Sequence, residues 1–342
     1  MKSLSVNSLV LLFLIIAIAV TAACCGSPPP PSVGERFAIC TAAGDQDHPA
    51  IWGDVVVWQD MRNGANETYY DLYGCHLSTG VEFPICTEVT DQFMEHGQIL
   101  PDLTDKYVVW TDGRSYGIHD WEIFGYDLTT NTEFAICTNP TWQYAARISG
   151  DIVVWGDYRR HNHDIYGYNF ANGTEFAICI DPETQFEPAI SGDIVVWIDK
   201  RNGNEDIYGY DLAAGTEFPI CNDPAQQTVP TIWGEIVVWE DHRNGNGDIY
   251  GYNLASGTEF AICTDAAIQR TPAISGDIVV WSDERNGNDD IYGYDLASKT
   301  EFAISTDPAR QWLPDIWGDI VVWQEFHDGC WDIYGIRLGV EE

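Results

Sequence analysis

The side chains best suited to chemistry in this chain are a scattered set of histidines and several polar motifs that recur. His48, His96, His119, His161, His163 and His327 fall out of register with one another, and acids stand near some of them, namely Asp47, Glu95 and Glu325. Imidazoles beside carboxylates are the donor set of metal centres and of acid–base catalysis. A divalent-cation site would need His48, His96 and His327 to meet on one face. Against this, no HExxH or CxxC spacing accompanies them, and isolated histidines in polar loops are ordinarily solvated. No other cofactor is expected.

A second polar set does repeat. Asp-x-Arg occurs as Asp60/Arg62, Asp112/Arg114, Asp157/Arg159, Asp199/Arg201, Asp241/Arg243 and Asp283/Arg285, while the seventh copy reads Glu325 and His327. With Asp164, Asp206, Asp248, Asp290 and Asp332 following, the expected role is a hydrogen-bonded ion pair that fixes a loop. The run from Asp283 to Asp290 also has the look of an EF-hand start, but Arg285 puts a cation where a calcium loop needs a ligand oxygen.

A third set is a ring of amides: Gln46, Gln98, Gln143, Gln185, Gln227, Gln269 and Gln311. Two readings compete, an amide that ties neighbouring loops together and one that touches a ligand. The next position is variable (Asp47, Ile99, Tyr144, Phe186, Thr228, Arg270 and Trp312) within sequence that otherwise repeats. Divergence confined to one loop position suggests either ligand-directed roles or drift. Trp142, Tyr144, Phe186 and Trp312 are the candidate contact aromatics, with Arg270 and the glutamines beside them, since exposed aromatics stack on sugars and anchor peptides.

The elements that must position these residues follow from the repeat. A strand-like block ends at Trp58, Trp110, Trp155, Trp197, Trp239, Trp281 and Trp323, with spacings of 52, 45 and then four times 42 residues. About 40–45 residues is one four-stranded propeller blade. Each unit divides into four short strands rich in β-branched and aromatic residues, separated by turns such as Ser275-Gly276 and Arg285-Asn286-Gly287-Asn288. No segment has helical period. The fourth-strand motif Arg36-Phe37-Ala38-Ile39-Cys40 stands before the first unit and is missing after the last. The expected fold is therefore all-β, a seven-bladed β-propeller of four-stranded blades closed by the N-terminal strand completing the last blade.

Pro84 and Pro219 interrupt fourth strands, which places those strands on the rim. A glycine recurs in each third strand, from Gly74 to Gly335, and reads as clearance for a large side chain, with the repeated tryptophan as candidate. Cys40, Cys86, Cys137, Cys179, Cys221 and Cys263 recur, with Ser305 in the seventh place. Equivalent rim positions should lie beyond the roughly 7 Å Cα reach of a disulfide, so buried thiols are expected. A bridge from Cys330 to Cys40 across the seam is the one candidate disulfide.

The run Ile274 to Leu296, I-S-G-D-I-V-V-W-x-D-x-R-N-G-N-x-D-I-Y-G-Y-D-L, resembles the propeller repeat of archaeal, methanogen-type surface proteins and, more distantly, TolB-type repeats. The resemblance spans about residues 35–339 and implies an extracellular propeller. It departs from TolB-type repeats, which carry W-S-P-D-G where this chain has I-S-G-D, so a TolB-like transport role is not implied.

At the N-terminus, Lys2, the apolar stretch Leu9 to Val20 and Thr21-Ala22-Ala23 have the layout of a signal peptide over residues 1–23, too short for a comfortable membrane span. Small residues before Cys24 make it a candidate lipid attachment site, although Thr21 stands where lipoprotein signals usually carry Leu. Residues 24–34 read as a Pro-rich tether and 35–342 as the propeller. Export to the cell surface or the extracellular space follows, with membrane contact only through the signal or lipid. The formal net charge of −37 excludes nucleic acid as an expected partner. The leading expectation is a non-catalytic binding or scaffold module for a glycan, peptide or cell-surface protein. The alternatives are a metal-assisted polysaccharide lyase or hydrolase on the same face, and a self-associating envelope component.

Overall fold

The computed structural model describes residues 31–63, 70–87, 98–114 and 121–339. The signal segment, Cys24, His96 and His119 lie outside the described residues.

Among the described residues there are no helices, and the strands form seven antiparallel sheets arranged as a ring. Six are four-stranded blades with strands in chain order, spanning residues 46–86, 98–137, 143–179, 185–221, 227–263 and 269–305. The first strands of neighbouring blades touch one another all the way round, so they are innermost, and the fourth strands form the rim. Pro84 and Pro219 pair there with Tyr73 and Tyr208 and leave their other edge to solvent, as expected.

The second strands are apolar on both faces because each blade is packed between two others. In blade 4, Val196 and Ile198 pack toward blade 5 with Trp239, while Val195 and Trp197 pack toward blade 3 with Ile165 and Cys179. The core is thus seven inter-blade layers, each centred on one fully buried tryptophan. Replacing any of these by Ala should cost roughly 3–5 kcal/mol.

The third-strand glycines do clear space, but not for tryptophan. A Cβ on Gly74 would lie 2.6 Å from Cζ of Phe83, and on Gly293 2.8 Å from Cζ of Phe302, both in the fourth strand of the same blade. The phenylalanine therefore lies flat across its neighbour's backbone, and the tryptophan faces the other way, into the inter-blade layer.

The last blade combines both ends of the chain. Its strands Gln311–Trp317, Ile320–His327 and Cys330–Gly339 are completed by Phe37–Cys40, with Phe37 opposite Gly335 and Ala38 opposite Tyr334. The sheet begins earlier than the sequence suggests. Ser32–Val33 also pairs, opposite Gly339 and Leu338, so the end of the expected tether is strand. The ring is closed by the N-terminal segment.

Candidate functional site

Strands alternate in direction, so the fourth-to-first connections and the second-to-third turns open on one face. The repeated polar residues all gather there. In blade 4, Trp197 Nε1 donates to Asp199 Oδ2 (3.0 Å), and Arg201 grips the same carboxylate through its backbone N–H, Nε and Nη2. The guanidinium stacks on Tyr208, 4.2 Å from the ring centroid, and Nη1 reaches Glu217 on the fourth strand. Nη2 also donates to Cys179 Sγ of the preceding blade at 3.3 Å. The same clamp recurs on Arg62, Arg114, Arg159, Arg243 and Arg285, with Nη2 to Sγ distances of 3.0–3.6 Å.

The Asp-x-Arg motif is thus a structural ion pair, as expected, and the cysteines are its inter-blade partners. Burial, opposed only in part by the guanidinium, pushes the thiols of Cys40, Cys137, Cys179, Cys221 and Cys263 up to about 12, so they stay protonated. Cys330 and Cys40 are both free, so the seam disulfide does not form. The aspartates that open the third strands serve a different partner: Asp206, Asp248 and Asp290 accept from Asn202, Asn244 and Asn286.

Six of the seven glutamines have described side chains, and all six are fully buried. Each donates through Nε2 to the carbonyl two residues earlier in its own loop, at 2.5–2.9 Å, as Gln185 does to Glu183. They shape their own loops rather than tying neighbours together, and offer no surface to a ligand. The side chain of Gln98 is outside the description.

Immediately beyond lies a bulge that the sequence did not reveal. The second residue after each glutamine is left-handed in all seven blades, with φ of 50–55° at His48, Leu100, Ala145, Glu187, Val229, Thr271 and Leu313. None is glycine, so each position carries local strain. In three blades the backbone N–H freed there is met by a side chain of the preceding blade's second strand: His48 N by Gln324, Leu100 N by Gln59 and Ala145 N by Thr111. Where blade 4 has the apolar Ile198, the neighbouring Glu187 accepts from Val229 instead, and burial raises its pKa. Bulges of this kind re-aim side chains at the ends of sheets.

The consequence appears over blades 2–4, where a hollow of about 630 Å³ is walled by Trp121, Trp142, Tyr144, Phe186, His163 and Lys200, with Leu100 and Thr184 completing it. Three predicted contact aromatics meet here. Trp142 is 42% exposed. Tyr144 lies flat on Gly156, whose absent side chain makes the slot: a Cβ there would sit 2.8 Å from the tyrosine ring. His163 stands edge-on to Tyr144 at 4.9 Å, and burial lowers its pKa, so the imidazole is neutral. Lys200 is paired with Glu205 at 2.9 Å.

The other predicted residues lie elsewhere. Trp312 packs near Trp331 (6.4 Å) under Arg310 in blade 7, and Arg270 is held by Glu284 and Asp289 in blade 6. His48 is bound to Asp47 at 3.1 Å, and His327 to Glu325. Among the described residues no three His, Cys, Asp or Glu side chains are grouped as a metal site.

On the axis of the ring the first strands enclose a channel of about 270 Å³. At the far end it is stopped by Trp52, Trp233 and Trp317, with centroid separations of 3.7 Å for Trp52–Trp317 and 5.1 Å for Trp233–Trp317. Leu100 lines both the channel and the hollow.

No family of known sequences matches the chain, and no curated protein does. Solved structures do. The β-propeller domain of the Trilobed protease from Pyrococcus furiosus aligns with a TM-score of 0.67 at 13% identity, covering 88% of this chain and 94% of that one. Oligogalacturonate lyase in complex with manganese aligns at 0.62 and 12% identity, covering 90% and 98%. TolB from Acinetobacter baumannii aligns at 0.56 and 14% identity, covering 78% and 67%. Fold and face together define a seven-bladed β-propeller, similar in fold to TolB and to the propellers of peptidases and a lyase. At such identities the likeness is one of architecture alone.

Proposed function

We propose that the chain is an exported, non-catalytic binding propeller that holds a neutral glycan in the hollow over blades 2–4. The observation that carries this reading is the wall of that hollow. In a chain of formal charge −37, there is no carboxylate among the described residues that line it, and four of these eight are Trp, Tyr or Phe. Its imidazole is neutral and its ammonium is already paired. Flat, uncharged aromatic faces suit the C–H faces of a sugar ring.

The test is a glycan array followed by titration calorimetry on the purified, processed protein. Trp142→Ala and Phe186→Ala should each weaken binding by tenfold or more, the effect of losing an aromatic anchor, while Trp312→Ala should not. Absence of any glycan ligand, or full affinity in both hollow variants, would sink the reading. The metal-assisted lyase or hydrolase alternative is tested in the same preparation. Bound divalent metal together with cleavage of the captured glycan would replace the non-catalytic role. Export rests on the signal layout, and a Cys24→Ala variant that leaves the membrane fraction would establish the lipid anchor.

A further inference from the structure

The channel carries a feature independent of the hollow. At the position where the other first strands present Ala50, Asp102, Ala189, Thr231, Ala273 and Asp315, blade 3 presents Arg147, and the proline that precedes this position elsewhere is Ala146. Arg147 Nη1 donates to the carbonyl of Ala146 at 2.9 Å, and no described carboxylate stands within the 4.0 Å of an ion pair. A guanidinium has five N–H donors; Arg147 is half-buried in the channel wall and has one protein acceptor among the described residues, so its other donors face the water of the channel.

Two carboxylates share the cavity with it. Asp102 accepts from Leu103 N (2.9 Å) and Ile148 N (2.8 Å), and Asp315 accepts from Ile51 N (2.9 Å). These bonds fix both carboxylates toward the channel and leave each with unused lone pairs. Both are half-buried in the channel wall, and burial raises the pKa of each. The three tryptophans stop the channel at one end, so it is a cup open toward the loop face. Its 270 Å³ lies just under the roughly 300 Å³ at which small-molecule pockets begin. That space suits one small molecule, not an oligomer.

We propose that this cup is a second ligand site, one that takes a small zwitterion of the α-amino-acid class, its carboxylate on Arg147 and its ammonium facing Asp102 and Asp315. A planar guanidinium is matched to a carboxylate. A free anion is repelled by the field of so acidic a chain, whereas a zwitterion has no net charge and answers both signs in the cup.

The experiment is titration calorimetry of the full processed protein with free glycine, alanine, leucine, glutamate and lysine, and with acetate and methylammonium as single-charge probes. At least one amino acid should bind, acetate and methylammonium much more weakly. Arg147→Ala should weaken binding roughly 10- to 100-fold, the loss of a charge-assisted pair, and Arg147→Lys should recover part of it. Thr231→Phe, which fills the cup from blade 5, two blades round from Arg147, should also abolish binding and guards against a misfolded arginine variant. Trp142→Ala should leave the response unchanged, which separates this site from the glycan hollow. No binding by any amino acid, undiminished binding in Arg147→Ala and Thr231→Phe, or acetate binding as tightly as the amino acids would each overturn the proposal.

Discussion

Six blades and the seventh hold the same tryptophan in different ways. In blades 1–6 the indole meets an aspartate whose arginine lies two residues on, stacks on the third-strand aromatic, and reaches a glutamate in the fourth strand and a cysteine on the blade before. In blade 7, Trp323 donates to Glu325 at 2.9 Å, and the residue two on is His327. The missing guanidinium comes from Arg36, which immediately precedes the fourth strand, at the sequence position where the other blades have the glutamate. It pairs with Glu325, stacks on Tyr334 at 4.6 Å, and reaches Asp307 beyond blade 6 at 2.8 Å. The charge has moved to the other end of the pair. Blade 6 agrees with this exchange, since with no arginine at 327 to receive, it carries Ser305 in place of cysteine. One guanidinium per clamp is the quantity that stays fixed, whichever strand supplies it.

Breaking the seventh clamp outright should have the largest effect. Removing residues 32–40 strips the outer strand from blade 7 and opens the ring. The loss should exceed about 5 kcal/mol, comparable with the whole stability of a marginal domain, and appear in chemical denaturation as a non-cooperative or absent native transition.

Next, Arg201→Ala in an ordinary clamp leaves Asp199, fully buried, without its counter-charge, and should cost about 3 kcal/mol by urea unfolding. Arg36→Glu should cost a similar amount, because it adds an acid beside Glu325 and Asp307. The sharper test is the double variant Arg36→Glu with His327→Arg, which rebuilds the ordinary clamp. It should recover at least half of the single-variant loss, a coupling of about 1–3 kcal/mol. Strict additivity would show that the two ends do not exchange.

A smaller effect separates the seams on the inner side. Asp315 links blade 7 to blade 1 through Ile51 N, and burial pushes its pKa up to about 7. The folded state then holds a proton that the unfolded chain, at an ordinary carboxylate pKa near 3.8, has released. Stability from this group is full below about pH 4 and declines as pH rises toward 7. Asp315→Asn should flatten that slope in melting curves taken between pH 4 and 8. Smallest of all, Ser305→Cys should change stability by less than about 0.5 kcal/mol, because no guanidinium faces it, whereas Cys179→Ser should cost measurably more.

Much of this was legible from periodicity. Four strands per unit, seven units and the displaced outer strand follow from spacing alone, because a sheet that repeats every 42 residues has few ways to bury its tryptophans. What escaped were contacts between units. Phenylalanine and tryptophan recur with equal regularity, so spacing cannot say which of them fills the groove over Gly293; the pleat decides it. The Arg201 contact with Cys179 spans 22 residues and two blades, and nothing local announces it. Gln185 reads in the sequence as a tie between loops or a ligand contact, but its side chain is buried against its own loop beside the bulge at Glu187, which no residue type signals. Signals for the channel were present as departures from the repeat. Trp52, Trp233 and Trp317 replace serine in three of the first turns, and Arg147 replaces a small or acidic residue in one strand. Tyr144 and Phe186 meet because they sit on adjacent blades, whereas Trp312 is too far round the ring to join them.

Arg36 and Glu325 are 289 residues apart in the chain, so the one leaves the ribosome well before the other. The early strand must wait, its hydrogen-bonding edge unpaired, until the last blade has been made. A circular permutant opened between two ordinary blades would bring Arg36 and Glu325 close in sequence and remove that delay.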